Sequence, residues 1–491
     1  MNLMPNEREN FAADLPLNRA NLFIAENLHK VNNRYKNTYH ANCPVGWMND
    51  SNGVCHAFGK YHLYFQYHPY RPVWGPMHWG HLISEDMVNW QFEGAAIAPD
   101  SPFDIGGCFS GSALFFENRL YVMYTGIFED RQEQILAVSE DGCRFEKLGI
   151  VIDSASLPAE AIRNQFRDPR LFVRDGRFYC LVGSKSEKAG MVLLYTSEDM
   201  RAWQFVNVIY RDYENKNVCE CPDVMFIDGK TVLIYGGEFD SGKFVHQNSF
   251  SAMYVIGDLD LESGKFTVDY TGELDKGSDF YGAQILHDKD GYTLFSWMGG
   301  WRHRYYTEKD GWQGSCIFPR RLRLIGAKLI QNPVPQLEKY RTEAVQLENV
   351  KINGRLQIEN MDSSPGELNL LLDVSNGGEI SVELFKEEDV CTTLKYDGAA
   401  ETLSLYSEQN KRLNLYGTDA NDYVRRCKAE TVNGLLELRI LIDRSSAEVF
   451  VNGGAEVMSM LVYPSGKQTG LEFVSDSAML IRRLRYYKIG V

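Results

Sequence analysis

The chain has 491 residues, a formal net charge of −15, 44% hydrophobic residues and 24% charged residues. A chain of this length is too long to fold around one ordinary hydrophobic core, so we expect two domains. The acidic balance offers no basic stripe for phosphates, which argues against nucleic acid as a partner. No apolar run is long enough to cross a bilayer, so we expect no membrane partner.

The cysteine pattern indicates the compartment. The ten cysteines are scattered without a CxxC pair, and the first residues contain no apolar segment of the signal-peptide type. We therefore expect reduced thiols in a cytoplasmic protein. Cys219 and Cys221 offer a metal site as an alternative, but no matching Cys/His pair follows them, so we expect no metal ion.

The first predicted element is an amphipathic helix between residues 17 and 35. Its apolar positions include Leu22, Phe23 and Leu28, a spacing typical of a helix that lies against the protein body. A helix on a membrane surface is the alternative, but the apolar face is narrow and the segment is not strongly basic. We assign residues 1–36 to an N-terminal helical extension.

Residues 37–332 contain a strand pattern that recurs five times. The units start at positions 59, 118, 176, 229 and 291, which gives steps of 59, 58, 53 and 62 residues. A Ser-Glu-Asp tripeptide follows three of them, at Ser84, Ser139 and Ser197. Five strand-rich units without helical pattern predict a five-bladed β-propeller. A sandwich would supply strands but would not explain the period.

Residues 340–491 show a second all-β pattern. Alternating apolar runs at 368–372, 380–384, 435–442 and 448–451 are separated by Asn-Gly or Asp-Gly turns at positions 376, 397 and 452. This pattern predicts a C-terminal β-sandwich. We expect a linker at the Gln-Asn-Pro-Val-Pro segment, residues 331–335. The sandwich contains no carboxylate constellation, so we expect it to be structural.

Three carboxylates stand in unusual sequence settings within the propeller region. Asp50 lies in WMNDSNG (47–53), Asp168 in FRDP (166–169) and Glu220 in ECP (220–222). Each precedes a repeated strand, the first, third and fourth. Because the inner strands of all blades converge on one axis, we expect the three acids to meet in one funnel. A plain turn is the alternative for residues 49–53.

Paired carboxylates are what glycoside hydrolysis requires, and a third can accept hydrogen bonds from sugar hydroxyls. Arg167 is expected to hold Asp168 ionised, with a surface ion pair as the alternative. Glu220 stands between two thiols in a poorly solvated setting, which favours a protonated general acid. Aromatic residues that suit a sugar-stacking funnel are present, although most aromatics belong to cores: Trp47, Trp74, Trp79 and Phe109.

With these motifs the chain resembles glycoside hydrolase family 32, the group of invertases and sucrose-6-phosphate hydrolases. The resemblance spans nearly the whole chain and rests on seven motifs in the family's order: WMNDSNG (47–53), WGPMHWGH (74–81), FSGS (109–112), FRDP (166–169), ECP (220–222), DFY (279–281) and EVFVNG (448–453). It implies a five-bladed propeller followed by a β-sandwich. The implied activity is release of fructose from sucrose or sucrose 6-phosphate, without a cofactor.

The resemblance also implies residue roles. Asp50 would be the nucleophile, Glu220 the acid/base and Asp168 the stabiliser that grips fructose hydroxyls. The family retains anomeric configuration, which requires the two catalytic carboxyl groups to lie only about 5–5.5 Å apart. Seven further residues match the sugar pocket: Asn49, Gln66, Trp74, Phe109, Ser110, Arg167 and Trp301.

The sequence departs from the family in three places. Ser51 replaces the usual proline, which is expected to loosen the turn after the nucleophile. Gly282-Ala283 replaces Ala-Pro, and residues 300–304 have no counterpart. Within that segment, Arg302 and Arg304 are candidates for holding a 6-phosphate, with ion pairs to Glu308 and Asp310 as the alternative.

Three functions remain open at this point. The first is hydrolysis of sucrose, sucrose 6-phosphate or short fructo-oligosaccharides. The second is a transfructosylase, which shares the same acids and differs only in how water is admitted. The third is a non-catalytic sugar-binding propeller, which would not need an activated acid. The sequence carries no signal for the oligomeric state.

Overall fold

The computed structural model describes residues 16–416 and 423–491, so positions 1–15 of the predicted extension lie outside the described residues. Helix α1 spans Pro16–Asn27 and packs on the outer strand of the first blade. The predicted helix is therefore too long, because Asn32 and Asn33 accept backbone N–H groups in turns. Among the described residues, no helix is both long and apolar enough to span a membrane.

The predicted five-bladed propeller is confirmed by five antiparallel sheets. The first three blades are β1 Gly46–Ala57, β2 Lys60–His68, β3 His78–Ser84 and β4 Gln91–Ile97; β5 Gly107–Phe116, β6 Arg119–Phe128, β7 Arg131–Ser139 and β8 Glu146–Ile152; β9 Phe166–Arg174, β10 Arg177–Lys185, β11 Gly190–Ser197 and β12 Gln204–Asp212. The repeated segments of the sequence are the second strands of the blades.

The last two blades complete the ring. They are β13 Glu220–Ile227, β14 Lys230–Glu238, β15 Phe250–Asp260 and β16 Lys265–Glu273; then β17 Tyr281–Asp288 and β18 Gly291–Met298, with β19 Trp312–Gln313 and β20 Ser315–Cys316 as short additions to the first and fifth blades, and β21 Arg320–Ile325 and β22 Lys328–Pro333. The first strands β1, β5, β9, β13 and β17 contact one another in a closed circle.

Burial falls from the propeller axis outward. Strand β1 is buried along nearly its whole length, whereas the outer strands β8 and β16 are mostly exposed or half-buried. Cores form between neighbouring blades: Tyr64 and Trp79 of the first blade, for example, pack against Val122 and Ile135 of the second. Each large apolar side chain buried in this way contributes about 1.5–3 kcal/mol.

The Ser-Glu-Asp tripeptides form one repeated turn. In the first blade Ser84 Oγ accepts the backbone N–H of Asp86 and Met87, and Asp86 Oδ1 accepts those of Val88 and Asn89. The same pattern follows the third strands of the second and third blades. These carboxylates therefore satisfy backbone donors of a turn.

The C-terminal region is the predicted sandwich-like domain, built from one continuous ten-stranded sheet. Its elements are β23 Arg341–Leu356, β24 Gly366–Asp373, β25 Glu379–Glu387, β26 Val390–Asp397, β27 Thr402–Ser407, α2 Glu408–Arg412, β28 Arg425–Lys428, β29 Leu435–Asp443, β30 Ser446–Val451, β31 Glu456–Leu461 and β32 Gly470–Ile489. Strand β32 joins the layers because its start pairs with β25 and its end with β24. The expected linker is wrong for residues 331–333, which end β22.

A buried ion cluster joins the two domains. The side chain of Arg320 is fully buried, and its guanidinium lies 2.9 Å from Asp275 Oδ2 and 2.5 Å from Glu448 Oε2. His40 bridges Asp443 and Glu448 at 2.8 and 2.9 Å. Burial alone would lower the pKa of His40, but these two hydrogen bonds raise it to about 9. We call these five residues the interface cluster.

Candidate active site

The same irregularity occurs in the first strand of every blade. The pairing register with the second strand shifts by one residue, which is the mark of a β-bulge. Bulges bend a strand and re-aim side chains, so each blade turns two residues out of its ladder at the same level. These residues are Asn49-Asp50, Phe109-Ser110, Asp168-Pro169, Cys221-Pro222 and Gly282-Ala283.

Three of the bulges contain a left-handed residue. The φ angles are +65° for Asp168, +47° for Cys221 and +61° for Gly282. Glycine adopts this region freely and Asp tolerates it, whereas Cys221 carries a backbone strain of about 1–2 kcal/mol. Strained backbone that the surrounding fold maintains is a mark of functional sites.

Asp50 is 8% exposed and has one oriented oxygen. Its Oδ2 accepts the hydroxyl of Ser110 at 2.8 Å, and the thiol of Cys221 lies 3.7 Å away. Its Oδ1 has no hydrogen-bond partner among the described residues. Burial raises the pKa of Asp50 and the Glu220 charge adds to this, while the Ser110 bond opposes it.

Asp168 is held by a backbone donor and a side-chain acceptor from the two neighbouring blades. Its Oδ2 accepts the backbone N–H of Cys221 at 2.9 Å, and its own N–H donates to Thr125 Oγ1 at 2.9 Å. Burial raises the pKa of Asp168 to about 7, with Arg167 opposing the shift and Glu220 adding to it. Arg167 acts on Asp168 in the expected direction, but desolvation outweighs the nearby cation, so the pKa of Asp168 stays above its usual value.

Glu220 connects the third, fourth and fifth blades. Its Oε1 accepts Arg167 Nη2 at 2.6 Å, and its Oε2 accepts the hydroxyl of Tyr281 at 2.6 Å. Both donors are partly or fully buried, and the Tyr281 ring packs against Gly236, where a Cβ would come within 2.7 Å of it. Glu220 is thus fixed at both oxygens and has no freedom to rotate alone.

Cys221 brings the three acids together. Its thiol lies beside Asp50, its backbone N–H is bonded to Asp168, and Glu220 precedes it in the chain. The convergence predicted from the sequence is therefore present in the geometry: residues 118 and 52 positions apart along the chain share one cluster. The three acids lie in or directly beside the bulges of their strands.

An aromatic cluster lines the same end of the propeller. Its members are Trp47, Met77, Tyr281 and Trp297, with Phe109, Phe250, Trp301 and Tyr305 packed against it. Trp74 is 49% exposed and meets Phe109 edge-on at 6.0 Å. Trp79, by contrast, is fully buried in the core between the first and second blades, so it does not reach a sugar.

The remaining expected binding residues also border the acids. Asn49 accepts the indole N–H of Trp47 at 2.7 Å, and Gln66 lies opposite the Asn49-Asp50 bulge. Gln66 donates to the carbonyl of Cys108 at 3.0 Å, which joins the first two blades.

The family departures fall close to the cluster as well. Ser51 lies in β1 and pairs with Phe65, so the expected loosened turn, and the plain-turn alternative, are both wrong. A Cβ at Gly282 would lie 2.4 Å from Asp50 Oδ1, so Asp50 packs directly against the glycine and leaves no room for a larger residue. Arg302 pairs with Glu238 at 2.7 Å rather than with Glu308 or Asp310.

Tyr281, Cys221 and Thr125 belong to the site although they were not predicted as site residues from the sequence. Tyr281 stands in the quoted DFY motif, and Cys221 follows Glu220 directly, so both were within reach of motif reasoning. The hydroxyl of Thr125 accepts the backbone N–H of Asp168, and no motif around Thr125 in the sequence indicates this role. Within the described residues, no group of three or more His, Cys, Asp or Glu is arranged to hold a metal ion.

Two family models cover most of the chain. Residues 40–333 match the N-terminal domain of glycosyl hydrolases family 32, and residues 336–488 match the C-terminal part of the same family. Among curated relatives, a sucrose-6-phosphate hydrolase of Escherichia coli is 32% identical over 501 aligned residues, which cover 96% of this chain and all of that protein. A raffinose invertase of Escherichia coli is 33% identical and covers 92% of this chain and 96% of its own.

Solved structures show the same relationship. The sucrose-6-phosphate hydrolase of Lactobacillus gasseri superposes with a TM-score of 0.86 at 28% identity, covering 96% of both chains. A beta-fructofuranosidase of Bombyx mori in complex with sucrose gives a TM-score of 0.82 at 29% identity, covering 97% of this chain and 98% of that one. The chain described here belongs to glycosyl hydrolases family 32.

Proposed function

We propose that this protein is a β-fructofuranosidase that releases fructose from sucrose or sucrose 6-phosphate by double displacement. The observation that carries the proposal is the cluster of Asp50, Asp168 and Glu220, which three different blades deliver to one point. The relatives named as sucrose-6-phosphate hydrolases and the sucrose complex of a structural neighbour support this substrate class. The ten free cysteines support the expectation of a reducing, cytoplasmic compartment.

Asp50 acts as the nucleophile. Ser110 donates to Oδ2 and fixes the orientation of the carboxylate. Attack by the Asp50 carboxylate on the anomeric carbon of fructose forms a covalent fructosyl ester.

Glu220 acts first as acid and then as base. It must give a proton to the glycosidic oxygen and later take one from water. Arg167 and Tyr281 donate to its two oxygens and hold the carboxyl group in place for both steps.

Asp168 stabilises the transition state. A carboxylate accepts hydrogen bonds from adjacent fructose hydroxyls, and these bonds strengthen as the sugar becomes oxocarbenium-like. Burial raises the pKa of Asp168 to about 7, and the charges of Glu220 and Asp50 add to this rise.

The experiment that tests this proposal is rescue of Glu220→Gln. The variant should lose turnover of sucrose by about 10²–10⁴-fold, since no proton reaches the leaving oxygen. An activated aryl fructoside, whose leaving group departs without protonation, should recover its first step, seen as a burst of released phenol. Equal losses on both substrates would remove the acid role. Product analysis at high sucrose separates hydrolysis from the alternative, fructosyl transfer.

A further inference from the structure

A second cavity lies away from the three acids, where the fourth blade meets the C-terminal domain. Its volume is about 580 Å³, which is within the range of small-molecule sites. Strands β15 and β16 form one wall, Leu329 and Gln331 of β22 a second, and Glu456 and Val457 of β31 a third. Both domains therefore contribute to it.

Six aromatic side chains line the cavity: Tyr210, Tyr213, Tyr235, Phe239, Tyr254 and Tyr270. Tyr213 is 70% exposed and Tyr270 is 38% exposed, so their rings face solvent at the mouth. A ring with an apolar face and a polar tip matches a sugar, which presents C–H groups on its faces and hydroxyls at its edges.

The carboxylates of the cavity are already partnered. Glu273 is bonded to Lys276 and accepts the backbone N–H of His246 at 2.7 Å. Asp212 accepts the hydroxyl of Tyr235 at 2.5 Å. Their remaining lone pairs can accept the hydroxyl groups of a sugar.

The charges also exclude a phosphorylated ligand. Arg211 and Lys276 are outnumbered by four lining acids: Asp212, Glu214, Glu273 and Glu456. The protein as a whole carries a net charge of −15, so its field repels anions as well. The ligand that fits this surface is neutral and rich in hydroxyls.

The cavity is separate from the proposed active site. Segment 239–249 lies between them. Phe239 and His246 of this segment line the cavity, whereas Phe250, the residue that follows it, contacts Tyr281 beside Glu220. Among the described residues, none that lines the cavity hydrogen-bonds to the three acids.

We propose that this cavity is a second, non-catalytic binding site for a neutral oligosaccharide. It would hold a sugar chain of the class that the enzyme cleaves while the funnel acts on another end or another molecule. The sugar class rests on the proposed function, whereas the existence of a neutral-sugar site rests on the cavity alone.

The test is equilibrium dialysis of the Asp50→Asn protein with nystose, a neutral fructose-containing tetrasaccharide. We expect two bound molecules per chain. Tyr213→Ala with Tyr270→Ala should weaken one of them about tenfold or more and leave the other unchanged. Trp74→Ala should weaken only the other, and Phe205→Ala, an exposed ring outside the cavity, should weaken neither.

One bound molecule per chain would overturn the proposal, as would two molecules that both persist in the tyrosine double variant. Binding of sucrose 6-phosphate at the second site as tightly as sucrose would overturn the neutral-ligand assignment. Failure of the proposed function is distinguishable, because an Asp50→Asn protein that still cleaves nystose would release fructose during dialysis. In the otherwise native enzyme, the tyrosine double variant should keep its kcat/KM for sucrose.

Discussion

The protein buries carboxylates in two regions and surrounds them differently. In the interface cluster, Arg320 lies between Asp275 and Glu448, and His40 lies between Asp443 and Glu448. Burial opposes ionisation of Glu448, but the two cations prevail and hold its pKa below the usual range. These charges compensate one another and join two domains.

In the funnel the neighbours of the acids are other acids. Asp50, Asp168 and Glu220 share one cation, Arg167, and it bonds to Glu220 alone among the three. Burial raises the pKa values of Asp50 and Asp168, and the charge of Glu220 adds to the rise. In this chain the buried cluster with two cations joins the domains, whereas the funnel acids, which outnumber their single cation, stand where the chemistry is proposed. The variants below separate the two.

Asp50→Asn should have the largest effect on activity and almost none on folding. Loss of the nucleophile should lower kcat for sucrose by about 10³-fold or more. The melting temperature should stay equal or rise, because an amide removes an uncompensated buried charge. Initial rates and calorimetry on the same preparation measure both. Near-normal turnover would remove the nucleophile assignment.

Glu448→Ala should show the opposite pattern. It leaves Arg320 and His40 buried without one of their partners, which costs about 3–5 kcal/mol of the free energy of unfolding. The kcat per folded molecule should change little, since within the described part of the chain Glu448 bonds to His40, Phe318 and Arg320 and not to the funnel acids. Urea titration gives the stability, and active-site-normalised rates give kcat. A loss of kcat exceeding the loss of folded protein would contradict the separation of the two regions.

Asp168 should make stability depend on pH in an acidic window. Its pKa is about 7 when folded and about 3.9 when unfolded, so the folded state binds more protons between these values. Stability therefore falls as pH rises from about 4 to 7. Asp168→Asn should remove this slope. Its free energy of unfolding, compared with that of the native protein, should therefore be higher by about 1–4 kcal/mol at pH 7 than at pH 4. It should also lower kcat along with raising KM; a change in KM alone would mean uniform binding.

His40 should produce a separate, alkaline window. Its pKa is about 9 when folded and about 6.5 when unfolded, so its contribution is complete below pH 6.5 and is lost as pH rises through 9. The expected loss is at most about 3 kcal/mol. Melting temperatures between pH 6 and 10 for the native protein and His40→Gln measure it. An unchanged slope in the variant would place the titration elsewhere.

The smallest expected effect concerns the substrate. A dianionic 6-phosphate approaches a protein of net charge −15, so a local cation is needed to hold it. Arg302→Ala with Arg304→Ala should raise KM for sucrose 6-phosphate about tenfold and leave that for sucrose nearly unchanged, and added salt should narrow the gap. Arg119→Ala, in an exposed ion pair on the second blade, is the matched control. Equal losses on both sugars would end the phosphate role.

Much of the fold could be predicted from the sequence because the repeat has a fixed period. The segments that begin at positions 59, 118, 176, 229 and 291 are the second strands of five blades, and this alone places Asp50, Asp168 and Glu220 on inner strands. The alternating runs of the C-terminal domain are likewise strands β24, β25, β29 and β30. Its continuous sheet was not predictable, because β32 changes partner without any local mark.

The details of the site were less accessible. The five bulges leave no common residue pattern, since their pairs are as different as Asn49-Asp50 and Gly282-Ala283. The partner of Arg167 was predicted from adjacency in sequence, but a residue and its chain neighbour point to opposite sides of a strand. Arg167 therefore reaches Glu220 across the blades. Arg302, in the loop after β18, pairs with Glu238 of the fourth blade, a contact that its sequence neighbourhood does not indicate.

Asp50 is central to the proposed mechanism, because it is the group that forms the bond to fructose. The direct measurement is rapid-quench mass spectrometry of Glu220→Gln with an activated aryl fructoside, because the missing base slows hydrolysis of the ester and lets it accumulate. We predict a fructosyl adduct on the peptide that contains Asp50, absent from the same protein carrying Asp50→Asn. An adduct on Asp168, or turnover through the burst without any adduct, would contradict the account.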